Sequence, residues 1–565
     1  MKDYKSKTGN GLLAICMGKN YQDSMVVYRE YVQNACDSIY EAMNLGYYSS
    51  DEEKSIAISI QPALKRVCFM DRGTGVAQND IGPRLVDLGA SIKNGIDQIG
   101  SNGIGRLVGA NWCDKIIFET SYKGEAVKSI LTFDSLLAHE LIKDKTGDCT
   151  ESLDLVTAYH SEPEDVNEHY FRVTLENAKE SLWGNLKAVK EYLSSMVPVD
   201  YTFEFEDLIK PYLRENPEYN DFFKKLICCH VTVNEDIIEK PYTKEIYSEG
   251  SNIPKRVTPP SFFKVEDSTY GTLAWGWYAF NEKIEQMNSL PYRGIRLRKH
   301  NMAIGSYDYL TKFFPKPVDA NYFIGEIHIV HPDIHPTGTR EAVETSESPA
   351  ANIFLYKLEK LIFPDLKKAY ENLSRLGSAA LTPLINAKFA LGIDAAIQDN
   401  PDFTEEQRQE SASKAQEARV ELARSKEELK RKIKAVQASP TVSPKVLDFI
   451  VTRFDKEIAT HVAAANQQTN GGMQLQGFKL EPIIQEALQE TQPSTGVPET
   501  PIVPSINPVV VAQQDETGVE QYKILGKSEY KLMKQVYQIL DAEKDLPPQI
   551  RERLKKKLLK KLVGK

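Results

Sequence analysis

The stretch Arg29–Ser38, REYVQNACDS, constrains this chain more than any other. It sets Glu30, Asn34 and Asp37 at spacings of four and three, which on a helix brings the three side chains to one face. Two acids around a neutral amide are an odd stripe for a structural helix, although alone they read as a solvated polar face. The same set suits holding a divalent metal, activating a water and contacting a nucleotide. Two glycine motifs follow, DRGTG from Asp71 and GSNGIG from Gly100, and the combination points to ATP.

The surrounding pattern predicts an α/β fold. Asp23 to Leu45 reads as a helix opened by Asp23 or Ser24 and closed near Gly46. SIAISI (55–60), RVCFMD (66–71), KIIFETS (115–121) and FRVTLEN (171–177) read as strands. The strands come as hairpin-like neighbours, so a helix-bearing α/β sandwich fits better than a parallel doubly wound sheet. Residues 1–185 are expected to form this first domain and 186–375 a second α/β domain. TLAWGWYAF (272–280), YRGIRLRK (292–299) and FIGEIHIVH (323–331) are the clearest strands of the second.

From 376 to 464 the pattern turns helical. Ala415, Leu422, Leu429 and Val436 recur at sevens, with Ala418 and Ile433 beside them, which predicts a short coiled coil. Residues 465–520 are rich in Gln, Pro, Thr and Gly and read as a linker. The last segment, 521–565, is expected to carry a basic amphipathic helix with Ile550, Leu554, Leu558 and Leu562 four apart. It suits nucleic acid, an acidic partner or a membrane surface, and its leucine face a second copy; a protein contact is expected.

Composition limits the class. The 565 residues allow three or four domains, and 41% apolar with 26% charged residues suits a globular protein with sizeable cores. A net charge of −9 carries no global nucleic-acid signature. Seven scattered cysteines without a CxxC suit reduced thiols. The start, MKDYKSKTGNG, lacks an apolar signal core and no run of eighteen apolar residues occurs. The expectation is therefore a cytoplasmic chain without a membrane partner.

Each motif has a plain reading and a chemical one. Asp71 at the end of a buried strand can accept a hydrogen bond from the exocyclic amine of adenine, with Gly73 and Gly75 letting the backbone pass close to the base. As a bare pattern it is equally a tight turn. GSNGIGRL can present amides and a helix N-terminus to phosphates, or be a flexible loop. No GK[ST] follows it, so it is not a Walker A loop. Asn34 can offer oxygen to Mg²⁺, and Glu30, one turn earlier, can act as general base on a water attacking the γ-phosphate.

The order ExxxNxxD, DxGxG, GxxGxG, at intervals of about 35 and 25 residues, resembles the GHKL superfamily of gyrase, heat-shock chaperones, histidine kinases and MutL. Within it the chain looks most like the ninety-kilodalton heat-shock chaperones. The resemblance implies an Mg²⁺-dependent ATPase, with a lid closing over ATP. It makes Glu30 the general base, Asn34 the metal ligand, and Asp37 a residue facing the sugar or base. Asp71 would read adenine. Lys93, from LGASIK, would lie at the phosphates with Gly100, Asn102, Gly103, Ile104, Gly105 and Arg106. Arg106 departs from the usual aromatic or apolar residue of that position, and serves either as an extra phosphate contact or as a surface charge. Thr174 on FRVTLEN would stand near adenine, although the glycine common before that strand is missing.

In IHPTGTREAVETS, Arg340 resembles the loop arginine that the chaperones' second domain offers to the γ-phosphate. The basic segment YRGIRLRKHNMAIG would touch a substrate, nucleic acid or the other domain, or form the wet face of an edge strand. His328, His331 and His335 are close in sequence, but their spacing crosses a strand and a turn. The expected output is a conformational action on a client or partner protein, within a homodimer. The alternatives are a nucleic-acid-acting ATPase of the MutL and MORC kind, as in a defence or repair system, and a scaffold that binds nucleotide without turnover.

Overall fold

The computed structural model describes residues 8–17, 23–48, 54–87, 105–144, 147–247, 253–288, 290–468, 475–489, 510–514 and 520–524. The chain is mixed α/β and divides into two units, 1–491 and 492–565. In the second unit the described residues form one antiparallel hairpin, Val510–Gln514 with Glu520–Ile524. The expected terminal basic helix lies outside the described residues.

In the first unit, helices α1 (Gly11–Cys16) and α2 (Val26–Asn44) precede strands β1 (Ser55–Gln61), β2 (Arg66–Asp71), β3 (Lys115–Ser121) and β4 (Val127–Asp134). Helices α3 (Ser135–Leu141) and α4 (Cys149–Val156) lead to β5 (Thr157–Pro163) and β6 (Tyr170–Glu176). After α5 (Glu180–Trp183), α6 (Leu186–Met196), α7 (Phe203–Arg214) and α8 (Pro217–Lys224) come β7 (His230–Val233) and β8 (Asp236–Ile238). All eight strands form one sheet in the order β5-β4-β3-β6-β2-β1-β7-β8. Its pairings are antiparallel except β1 with β7. The α/β expectation holds, and the sheet runs past residue 185, because β7 and β8 complete its edge.

Strand alternation decides what the sheet buries. On β2, Val67, Phe69 and Asp71 are buried, while Arg66, Cys68 and Met70 are half-buried on the other face. Phe69 packs edge-on against Tyr28 and Tyr31 of α2, with ring centroids 5.3 and 5.0 Å apart. The opposite face is polar, carrying the Arg172–Glu119 and Arg66–Glu176 ion pairs.

A two-stranded ribbon, β9 (Glu245–Tyr247) with β10 (Pro254–Arg256), precedes a second sheet. That sheet is ordered β11-β12-β15-β13-β14, from β11 (Ser261–Asp267), β12 (Gly271–Ala279), β13 (Gly294–Lys299), β14 (Met302–Ile304) and β15 (Ile324–Ile329). It is covered on both faces. Leu273, Tyr278, Ile295 and Leu297 enter one core, and Trp275, Trp277 and Tyr201 another. The basic segment is therefore neither a wet edge nor a ligand surface. Every residue of β13 is buried, Arg296, Arg298 and Lys299 included. What this strand meets instead is helix α6, which packs beside the first sheet. Arg298 Nη2 donates to the Ser195 carbonyl at 3.1 Å, and Arg296 meets Met196, both on α6.

Of these charges, Glu326 receives that of Arg298, together with Lys240. Lys240 Nζ lies 2.8 Å from Glu326 Oε2, His328 Nε2 3.1 Å from the same oxygen, and Arg298 and Tyr201 donate to the same carboxylate. Burial alone pushes that carboxyl up, but Arg298 and Lys240 hold it well below the usual range. Burial lowers Lys240 to about 8 and His328 to about 4. His328 stacks on Trp275, whereas His331 meets Tyr270. The three histidines do not converge, and among the described residues no cluster of His, Cys, Asp or Glu suits a metal.

The C-terminal part of the first unit is helical: α9 (Pro349–Lys357), α10 (Phe363–Arg375), α11 (Thr382–Gln398), α12 (Glu405–Gln437), α13 (Pro444–Gln468) and α14 (Glu481–Gln489). The run Pro349–Gln398 is, among the described residues, the one helical stretch long and apolar enough to span a membrane by length and composition. Its Phe363, Leu366, Leu373 and Leu384 lie in the core. The seven-residue stripe does not form a coiled coil with a free partner face. Ala415 and Ala418 of α12 are buried, and Leu429, Ile433 and Val436 join the core shared with α10, α11 and α13. Nor is 465–520 a continuous linker, since α14 packs Ile483 and Ile484 into the same core.

Removing Glu326 leaves Arg298 and Lys240 buried without their shared carboxylate. Glu326→Ala is expected to lose about 3–5 kcal/mol in urea unfolding; a loss below 1 kcal/mol would contradict this account of the cluster.

Candidate nucleotide site

Helix α2 carries the stripe. Asp23 Oδ1 accepts from the Met25 amide at 2.9 Å, so the acid read as the helix opener satisfies an otherwise orphaned N–H. Gly46, at φ +69°, turns the chain at the other end. Val27, Tyr28, Tyr31, Val32, Ala35, Cys36 and Ile39 bury the sheet-facing side. Glu30 and Asn34 are left half-buried, and Asp37 is buried.

Glu30 is 12% exposed, and its Oε1 accepts from Arg29 Nη2 at 2.9 Å and Nε at 3.2 Å. The other face of Arg29 reaches the loop after β15, with Nη1 3.5 Å from Glu341 Oε1. The neighbouring residue of that loop is Arg340. It is buried, sits at φ +55°, and its Nη2 donates to the Lys299 carbonyl at 3.4 Å. Burial lowers its guanidinium to about 10; Arg29 lowers it further, while Glu30 and Asp37 raise it. The structure thus brings Arg340, some 300 positions later in the chain, into the electrostatic field of the α2 stripe.

Asp71 ends β2 on the α2 side. Its Oδ1 accepts from the Gly73 amide at 2.8 Å. Burial raises the carboxyl to about 7, against the pull of that amide and of Ser38. The glycines of DRGTG have a reason the sequence did not suggest. A Cβ on Gly73 would come 2.1 Å from Ser38 Oγ. Gly75, at φ +66°, would direct one 2.0 Å from the Ser121 carbonyl. They let the turn pack on α2 and β3 rather than open a gap for a base.

Gly105 starts a 3₁₀ stretch, Gly105–Trp112, and a Cβ there would come 2.7 Å from Glu30 Oε2. The start of this stretch therefore lies against the candidate base. Arg106 is buried, which removes the surface-charge option. Its Nε donates to the Leu85 carbonyl at 3.0 Å and its Nη2 to that of Asp87, so it staples the segment after DRGTG to this stretch. Lys93, Gly100, Asn102, Gly103 and Ile104 lie outside the described residues.

Thr174 is not brought to the site. It pairs with Cys68, whose side chain is on the face opposite Asp71, and its Oγ1 lies 3.7 Å from Cys68 Sγ. Period-two alternation excludes both residues from one surface. The threonine on the Asp71 side is Thr120. Phe171 pairs with both Asp71 and Thr120, and Thr120 Oγ1 accepts from the Val76 amide at 2.8 Å.

Sequence reading also passed over Ser38, Arg29 and Glu341. Ser38 Oγ accepts from the Thr74 amide at 3.0 Å and ties DRGTG to α2. Its spacing of four from Asn34 was a legible signal, whereas nothing local linked Arg29 to Glu341. Compared with known proteins, the chain matches no protein-family model and no curated sequence.

The buried Asp71 predicts a pH dependence. Between an ordinary value of 3.8 and about 7, the folded chain keeps a proton that the unfolded chain releases. Stability contributed at this site therefore falls as pH rises through that window and levels off above it. Asp71→Asn should gain on the unmodified chain by about 1.4 kcal/mol per pH unit there. Thermal unfolding at pH 5, 6, 7 and 8 checks this; a difference constant with pH would refute it.

Proposed function

We propose that this chain is an Mg²⁺-dependent ATPase of the GHKL kind, most like the ninety-kilodalton heat-shock chaperones, converting ATP and water to ADP and phosphate. The observation that carries the proposal is Arg340, on the loop after β15, lying in the electrostatic field of Glu30 and Asp37 on α2 while its neighbour Glu341 pairs with Arg29. A polar stripe alone has no use for a buried arginine from a separate sheet, whereas phosphoryl transfer uses an acid, an oxygen ligand and a cation at one point.

Asp71 supports the reading, as a buried acceptor at a strand end whose Oδ1 is held by the Gly73 amide. In its ionised form it accepts from the exocyclic amine of adenine. Glu30 takes the proton of the attacking water, and Arg340 offsets charge on the transferring phosphoryl group. The donor set fits a magnesium ion held mainly by substrate: Asn34 offers one neutral oxygen, and no carboxylate cage competes among the described residues. Such an ion, when bound, supplies charge neutralisation at the phosphate oxygens. Lys93 and the segment Gly100–Gly105 belong to the phosphate side of this proposal.

Coupling between domains favours a conformational output on a client or partner protein, within a cytoplasmic homodimer. The nucleic-acid alternative loses one of its two basic segments, since Arg296, Arg298 and Lys299 are buried.

Glu30→Gln is expected to lower ATP turnover about 10²- to 10³-fold with nucleotide affinity kept, the range for a positioned base. Asp71→Asn should instead weaken ATP binding about 10- to 100-fold, the loss of a charged acceptor. Turnover by released phosphate and affinity by calorimetry separate the two. An unchanged rate in Glu30→Gln would sink the base assignment, and ATP binding unaffected by Asp71→Asn the adenine contact.

A further inference from the structure

We infer that Lys299 is the positioning residue for the Arg340 guanidinium, holding both the root of its loop and the guanidinium itself; the inference rests on the ATPase reading above. Lys299 ends β13 with its side chain directed inward, 4% exposed. Its ammonium donates to three carbonyls: His331 at 2.8 Å, Pro332 at 3.1 Å and Ile334 at 2.6 Å. Those three bonds use every donor an ammonium has. A buried cation is ordinarily met by a carboxylate; here backbone dipoles at the start of the loop do that work, with Asp333 close by.

The other end of the loop returns to the same residue. The Lys299 carbonyl accepts from Arg340 Nη2 at 3.4 Å. Between the two ends the loop is tied to itself, with the Arg340 amide donating to Thr337 and the Thr337 amide to Ala342, both at 2.8 Å. The Arg340 carbonyl accepts from the Gly305 amide, also at 2.8 Å. Arg340 holds φ +55°, a backbone state that a non-glycine residue keeps only where its surroundings enforce it.

Lys299 touches the loop's first residues through its ammonium and the arginine head through its main-chain carbonyl. Without its ammonium, three carbonyls lose their donor, that of the buried Ile334 among them. The loop then rearranges toward water, and the guanidinium leaves the α2 stripe. This effect falls on the step that uses Arg340 and not on adenine binding, some distance along the sheet at Asp71.

The test uses the full chain with Lys299→Met, Arg340→Ala and the double variant. Turnover, ATP affinity and amide hydrogen exchange are measured on each. Lys299→Met should lower kcat roughly 10- to 100-fold, as misplaced catalytic groups do, with ATP affinity within about twofold. In the Arg340→Ala background, it should lower kcat by no more than about twofold further, since two residues acting as one unit are not additive. Exchange at the Gly305 and Arg340 amides should rise at least about tenfold, with that of the first sheet unchanged. If Lys299→Met does not fold, Lys299→Gln, which keeps two donors, takes its place in every arm. Multiplying losses in the double variant, or unchanged exchange at those two amides, overturns the inference. An unmodified chain without turnover, together with raised exchange in Lys299→Met, removes the ATPase reading and leaves the clamp standing.

Discussion

The carboxylate of Glu326 is the constraint on which the rest depends. It is fully buried and receives Lys240, Arg298, His328 and Tyr201, which come from the exit of the first sheet, two strands of the second, and the segment between α6 and α7. In a low-dielectric interior neither the Lys240 nor the Arg298 cation is tolerable without it, and it is not tolerable without them. The consequence is geometric. Arg298, held by Glu326, also grips α6 through the Ser195 carbonyl, and Asn301 donates to the Ile227 carbonyl just before β7. The two α/β layers are thereby fastened through charged groups whose geometry is specific, where an apolar contact would allow sliding.

That fastening sets where the loop after β15 can reach. Its Arg340 and Glu341 meet Glu30 and Arg29 of α2, and the backbone around Arg340 is held in a conformation few side chains adopt freely. On the other side, α2 is pressed to its sheet by Tyr28 and Tyr31 on Phe69, and to the DRGTG turn by Ser38. The helix is thus fixed from both directions, with Glu30 of its polar stripe lying against Gly105. Gly73, Gly75 and Gly105 share one logic: each stands where a methyl group would strike Ser38, the Ser121 carbonyl or Glu30. Closeness to protein, more than room for a ligand, explains them.

Much of the local structure was legible because it follows from short-range periodicity. β2 and β3 run over the residues expected from their alternation, and α2 begins and ends within three residues of its predicted caps. The gathering of Glu30, Asn34 and Asp37 on one face needed only the helical repeat. Errors arose wherever a residue's meaning depended on the far side of the molecule. Thr174 had the right chemistry on the right strand, but strand parity turned it from Asp71 and gave that side to Thr120. GIRLRK alternates like an edge strand with a wet face, and only the cover of Glu326, α6 and Tyr307 made both its faces interior. The sevenfold stripe of α12 was a true apolar face whose partner proved to be its own chain.

The sequence by itself therefore determined the elements, the helix face bearing the acids and amide, and the strand end bearing Asp71, since each is set by residues within a few positions of one another. The tertiary structure alone decided that Arg29 belongs with Glu341, that Lys299 belongs with Arg340, and that three basic residues of β13 are interior. Those pairings join positions tens to hundreds of residues apart. They become favourable only once burial has lowered the dielectric around them, which no local pattern of residues encodes.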